Sequence, residues 1–490
     1  MAGDPVRRSV QRWVACGAAA LWAAPVVAAP ALAVPPPIVP PGPPPGGPVA
    51  PPDPTEQKST CGTGGVLPGT DFRQRPSAET QLDLASAWRF SRGAGQKVAV
   101  IDTGVNRHPR LPALEAGGDY VSATDGLQDC DAHGTLVAGI IAATPSPDDA
   151  FAGVAPEATI LSIRQNSGVY SEKGSASTKD DPNTVSPGYG TIHTLALAIS
   201  RAVDLGATVI NLSEVACAPV GSGLNDAELG SALRYAYERN VVVVAAAGNI
   251  QTQGQGMCSA QNVVRDPNLP LWRQWDTVQT IASPAWFSDY VLTVAALAPT
   301  GGPSEFSLQG PWVGVAAPGE RIVSLDPNGP GLINAWQDQR GLVPVNGTSF
   351  AAPFVAGVVA LVRSRFPALN AGQVIELIKR TAHTGGAGPN TATGYGVVDP
   401  VAALTYQLPP LKNMPNPDMG TSVARPRHSD RNNRVRNIVL SGVFACVALS
   451  MIALAVLAPK QIRKMRPGGA DRYGAESLTG ADAGGSGQDR

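Results

Sequence analysis

The chain has 490 residues, 43% of them hydrophobic and 15% charged. That apolar fraction is a globular one, which excludes wholesale disorder and a polytopic membrane protein. The 37 basic and 38 acidic residues nearly cancel, so no basic surface of the kind that binds nucleic acid is implied.

At the start of the chain Arg7, Arg8 and Arg12 precede a small-residue apolar run from Trp13 to Ala29, and Ala31-Leu32-Ala33 supplies an A-x-A cleavage site. Residues 1–33 therefore read as a signal peptide. Residues 34–80 form a Pro-rich extension, with 12 prolines between positions 35 and 54. Such a stretch stays extended and largely unpacked, as a spacer or a wrapping arm.

A folded domain is expected over residues 81–407. Within it Lys97–Ile101, Ala158–Ile163, Thr208–Leu212, Val241–Ala245 and Val291–Val294 read as buried parallel strands. Thr194–Leu205 and Ala227–Arg239 carry helical spacing between them. The alternation predicts an α/β fold, a mostly parallel β-sheet with helices on both faces. In such sheets the functional site lies beyond the carboxyl ends of the strands.

A linker rich in Pro, Asn and Arg follows over residues 408–437. Ile438 to Ala458 is an uncharged run of 21 residues, long enough to cross a hydrocarbon core as one transmembrane helix. Both flanks are basic, so the export signal decides the orientation: residues 34–437 outside, and a Gly-rich polar tail, 459–490, in the cytoplasm. The expected location is the cell membrane, with a single pass through the lipid bilayer at residues 438–458.

Of six cysteines, Cys16 falls in the signal and Cys446 in the span. Cys61, Cys130, Cys217 and Cys258 remain outside, an even number in an oxidising compartment, and three connectivities are open to them. No C-x-x-C spacing suggests zinc.

Three segments near strand ends carry chemistry. Asp102 directly follows Val98–Ile101 in Asp102-Thr103-Gly104. His133 opens the small-residue stretch His133-Gly134-Thr135-Leu136-Val137-Ala138-Gly139. Ser349 lies in Gly347-Thr348-Ser349-Phe350-Ala351-Ala352-Pro353, and a fourth segment, Ala245-Ala246-Ala247-Gly248-Asn249, ends a strand with an amide. Singly each is ordinary. Together, in the order Asp, His, Asn, Ser, they resemble the subtilisin-like serine proteases over some 325 residues.

That resemblance implies a serine endopeptidase working through an acyl-enzyme. Asp102, His133 and Ser349 would form the catalytic triad, and Asn249 with the Ser349 backbone N–H the oxyanion hole. The segment Ser213-Glu214-Val215-Ala216 and the run Ala246-Ala247-Gly248 would bind protein or peptide substrates. Subtilisins usually carry Gly-Gly in the first of these segments. Val215 and Ala216 are therefore expected to narrow the pockets and Glu214 to add a negative wall, making a selective protease that cuts few proteins slowly. No cofactor is expected. Calcium sites are common in the family, but no D-x-D-x-D-G loop is present and no metal is assigned. His108, His193, His383 and His428 read as structural or solvated.

Signal, proline arm, no room for a folded pro-domain, basic linker, one span and a short tail resemble the layout of the mycosins, the membrane-anchored subtilases of type VII (ESX) secretion systems. That likeness implies processing of a few exported substrates. It also implies membrane components of a secretion complex as partners, with a role in stabilising that complex. Cys61 paired with Cys130 would strap the extension beside the site, and Cys217 and Cys258 flank the cleft. Each bridge would be worth roughly 4 kcal/mol in the chain-entropy model. Two long loops, Gln165 to Gly190 and Ile250 to Pro284, either contact partners, screen the cleft or are passive insertions.

Overall fold

The structure is a computed structural model that describes residues 34–174, 181–185, 188–250, 258–262, 269–338, 341–385 and 388–406, with five positions between 441 and 449. The signal peptide and the tail lie outside the described residues, as do the linker from position 408 and His428. So does most of the 438–458 segment; among the described residues no helix is long and apolar enough to cross a membrane. Residues up to Leu408 make one compact unit and those from Pro409 another.

In the first unit seven strands form the central sheet: β1 (Lys97–Asp102), β2 (Leu114–Asp119), β3 (Thr159–Arg164), β4 (Val209–Leu212), β5 (Val242–Ala246), β6 (Val291–Leu297) and β7 (Val313–Pro318). Their order is β7-β6-β5-β4-β1-β3-β2, and every neighbouring pair is parallel. All residues of β4 to β7 are buried, because helices cover both faces and leave no solvent side on which polar residues could alternate.

One face is packed by α1 (His133–Ala142), α4 (Thr348–Arg365) and α5 (Ala371–Thr381). The other is packed by α2 (Ile192–Asp204) and α3 (Ala227–Glu238). Helix α2 begins where Thr191 Oγ1 accepts a hydrogen bond from Thr194 N and Thr194 Oγ1 accepts one from Thr191 N, a reciprocal cap that satisfies two N-terminal donors. Helices α1 and α4 are apolar around nearly their whole circumference, as central helices must be, with all but the first residue of α1 buried.

From β1 the chain passes to the edge strand β2 and returns to β3 on one side, and it runs outward from β4 to β7 on the other. The order therefore reverses between β1 and β4, and the crevice above their carboxyl ends is where an open α/β sheet receives ligands.

The N-terminal extension wraps the domain. Val39 and Val49 pack against the core beneath α2 and α3. Arg234 of α3 donates to Pro40 O (2.8 Å) and Gly42 O (2.7 Å), satisfying carbonyls in a tract whose prolines cannot pair with one another. Thr55–Gln57 pairs antiparallel with Tyr170–Glu172, so the first long loop carries the arm's partner strand. Gly64–Gly65 pairs with Ala335 and Trp336. Of the three connectivities open from sequence, the structure has Cys61–Cys130 and Cys217–Cys258.

Candidate active site

Asp102 is the last residue of β1 and fully buried. Its Oδ1 accepts from Thr103 N (2.8 Å) and lies 2.7 Å from His133 Nδ1, which fixes the imidazole with Nδ1–H towards the carboxylate and Nε2 free to act as the base. His133 can sit there because it is the first residue of α1, and because Gly134 lets that helix approach the turn after β1. A Cβ at Gly134 would lie only 2.1 Å from Gly104 O.

A buried network holds the two segments together. Thr103 Oγ1 donates to Asp129 Oδ1 (2.8 Å) and accepts from Gly134 N (2.9 Å). Asp129 Oδ2 accepts from Thr135 N (2.8 Å) and Thr135 Oγ1 (2.6 Å). Burial pushes the Asp129 carboxyl up to about 7 despite these donors, with the Asp102 charge adding to the effect. Nothing in the sequence pattern singled out Asp129; an Asp four residues before a His has no spacing signature.

Ser349 is the second residue of α4, where the backbone N–H groups of the first turn have no partner within the helix. Four residues on, Pro353 has no N–H to give the Ser349 carbonyl. Ser213 Oγ fills the vacancy, donating to Ser349 O at 2.8 Å while accepting from Asn211 Nδ2 at 2.8 Å. Ser213, expected from sequence to bind substrate, is thus a buried tether for the serine. Pro353 gave the signal that could have predicted it.

Asn249 is oriented by the same helix start. Its Oδ1 accepts from Thr348 N and from Thr348 Oγ1, both at 3.0 Å, while Gly248 N donates to Thr348 Oγ1 (3.2 Å). With the amide oxygen committed, Nδ2 is the group left to donate. A Cβ built on Gly347 would lie 2.8 Å from Ser349 Oγ and 3.7 Å from Asn249 Nδ2, so both groups converge on the space that glycine leaves open. Among the described residues no Ser349–His133 hydrogen bond forms. The Phe350 ring, 5.0 Å from the imidazole, brings α4 and α1 to one cleft, and such bonds are often long before substrate binds.

The remaining residues expected to meet substrate are mostly withdrawn. Val215 and Ala216, expected to narrow a pocket, are buried, as are Ala246, Ala247 and Gly248. Ala216 also opens a strand, Ala216–Pro219, paired antiparallel with Thr280–Ser283, so that part of the edge is already occupied. Glu214 is different: its side chain keeps 23% exposure and its Oε1 lies 3.7 Å from His133 Nδ1. The Cys217–Cys258 bridge packs under Gly248, whose Cβ would lie 3.0 Å from Cys258 Sγ.

Burial alone would favour the neutral imidazole. The Asp102 carboxylate outweighs it through charge and hydrogen bond, with Glu214 and Asp129 adding, and holds His133 above the ordinary histidine range. Glu214 is raised in turn, chiefly by burial and then, against the pull of His133, by Asp102 and Asp131. Elsewhere, His108 is buried and accepts from Arg110 N, while His193 and His383 pair on the surface with Glu228 and Asp399.

The subtilase family profile matches residues 93–396, more than half of the chain. Mycosin-4 of Mycobacterium tuberculosis is 45% identical over 424 residues, spanning 86% of this chain and 89% of the relative. The chain is a subtilase of the mycosin family. It is therefore a serine endopeptidase. Among solved structures, the MycP3 protease from the type VII (ESX-3) secretion system is 48% identical with a TM-score of 0.71, covering 76% of this chain and all of that one. A chain of an intact ESX-5 inner membrane complex is 41% identical with a TM-score of 0.70, covering 87% of this chain and all of that one.

Proposed function

We propose that Asp102, His133 and Ser349 are the catalytic triad of this endopeptidase and that Asn249 Nδ2 and the Ser349 N–H form its oxyanion hole. The observation that carries this is the joint geometry of the cleft: the 2.7 Å Asp102–His133 contact faces a helix start at which the Asn249 amide oxygen is already committed. In the reaction Ser349 Oγ attacks the scissile carbonyl carbon as His133 Nε2 takes its proton. The tetrahedral oxyanion is held by Asn249 and the Ser349 N–H. Collapse breaks the C–N bond, with the His133 proton passing to the leaving amine. Water, deprotonated by the same imidazole, then releases the acyl group and restores Ser349.

Two further parts of the reading rest on the family. The substrates are exported proteins of a type VII secretion system, cut selectively because the edge at Val215 and Ala216 is closed and Glu214 puts a carboxyl group beside the base. The protease sits in the cell membrane through residues 438–458 and helps to stabilise the secretion complex. The second reading, a mainly structural subunit with a minor proteolytic role, is favoured by the likeness to a chain of the ESX-5 inner membrane complex over 87% of this chain.

Complementation of a deletion strain with wild type and Ser349→Ala separates the roles. If Ser349→Ala restores secretion and leaves a substrate unprocessed, both roles hold and are separable. If secretion fails with the variant present in membranes at normal level, the independent scaffold role is wrong. Rapid hydrolysis of casein by the wild type would contradict selectivity.

A further inference from the structure

His133 Nδ1 faces two carboxylates. Asp102 accepts its proton at 2.7 Å, and Glu214 Oε1 stands at 3.7 Å, projected from the turn after β4 on the opposite side of the crevice reversal. Asp102 has other donors to serve; the Glu214 carboxylate makes no hydrogen bond among the described residues. It is three-quarters buried, and among the described residues its neighbours offer it no cation except the imidazolium. The other charges around the pair are acidic too: Asp129 beneath the start of α1, and Asp131, bound by Ser167 Oγ and Gly168 N. Arg164 is turned away to Ser122 (3.0 Å) and the Tyr170 ring. The first turns of helix α4 carry no charged residue and bring the Phe350 ring to the imidazole.

A carboxylate in this place has two consequences for a general base. Once ionised, it favours the proton on the imidazole in the resting enzyme, which withholds the base until higher pH. It also stabilises the imidazolium that forms during attack, which helps once the resting proton has been removed. The two effects act on opposite sides of one pH value.

We propose that Glu214 is a positioning residue for the base, a second carboxylate partner of His133 that moves the working range of this peptidase towards alkaline pH. The inference rests on the triad reading above. It goes beyond that reading in giving a role to the residue that replaces the uncharged segment of ordinary subtilisins.

The test is the rate at which a fluorophosphonate probe labels the full-length protein in membranes, followed from pH 5 to pH 10 for wild type, Glu214→Gln and Glu214→Asp. The Gln variant should show its acidic limb at least about one pH unit lower, label faster than wild type across the part of the wild-type limb where Glu214 is ionised, and label about threefold more slowly on the alkaline plateau, since roughly half of a change in base strength reaches the rate. The Asp variant, which keeps the charge, should follow wild type. Superimposable limbs, or rates lowered by one factor at every pH, would overturn the proposal; a packing role predicts the latter. No labelling of the wild type at any pH would overturn the triad assignment itself, a distinct failure.

Discussion

Asn249 offers the sharpest separation of catalysis from stability, because its two amide atoms have different work. Oδ1 accepts from Thr348 N and Oγ1, both at 3.0 Å, at the buried start of α4; Nδ2 is left to stabilise the oxyanion. Asn249→Ala removes both. The missing donor should lower kcat by about 10²–10³, or roughly 2.7–4 kcal/mol of transition-state stabilisation, with KM nearly unchanged. The orphaned Thr348 N–H should cost about 1–3 kcal/mol of folding stability. Asn249→Asp keeps an oxygen for Thr348 and puts an acceptor where the donor stood. It should be the more stable of the two variants and at least as inactive. Steady-state hydrolysis of a fluorogenic peptide together with urea unfolding reads both quantities. A kcat within about threefold of wild type for either variant, or a loss confined to KM, would refute the reasoning.

Two other predictions concern stability. Replacing Cys61 and Cys130 by Ser opens a bridge between positions 69 residues apart and should lower stability by about 4 kcal/mol in the chain-entropy model. Protease nicking of the arm should rise in the same variant; an unchanged unfolding midpoint would contradict this. Glu79 is buried and among the described residues accepts a single hydrogen bond, from Ala152 N at 3.1 Å, and burial pushes its carboxyl up to about 7 from 4.5. The folded chain therefore holds a proton that the unfolded chain releases near pH 4.5, and stability falls as pH rises from there through about 7. Above that range the cost is about 3 kcal/mol. Glu79→Gln should be more stable than wild type at pH 8 and equal to it near pH 4.5; a gap of the same size at both would count against the assignment.

The five strands expected from sequence all form, within a residue or two at their starts, because continuous β-branched runs are what a sheet covered on both faces requires. Helices α2 and α3 likewise fall where their spacing put them. Strand β2, Leu114–Asp119, was not legible: its Leu-Glu-Ala-Gly-Gly-Asp sequence has no β character and pairs only because β3 supplies a partner. Strand β7, Val313–Pro318, is buried but contains Gly314 and ends at a proline, so it too gave a weak local signal. The candidate site was legible through its motifs. What holds it was not, since Ser213 serves the Ser349 carbonyl across 136 positions of sequence and Asp129 works through two threonines. Such long-range pairings leave no local period. For Val215 and Ala216, whether a small residue lines a pocket or lies beneath it depends on the neighbouring strand at Thr280–Ser283, which no local pattern announces.

Everything proposed for the cleft depends on Ser349 being the nucleophile activated by His133. Labelling of the full-length protein with a fluorophosphonate, followed by mass spectrometry of its peptides, tests this directly. One adduct is expected, on Ser349, abolished in Ser349→Ala and in His133→Ala with the fold retained. An adduct on another residue, or undiminished peptide hydrolysis by Ser349→Ala, would contradict it.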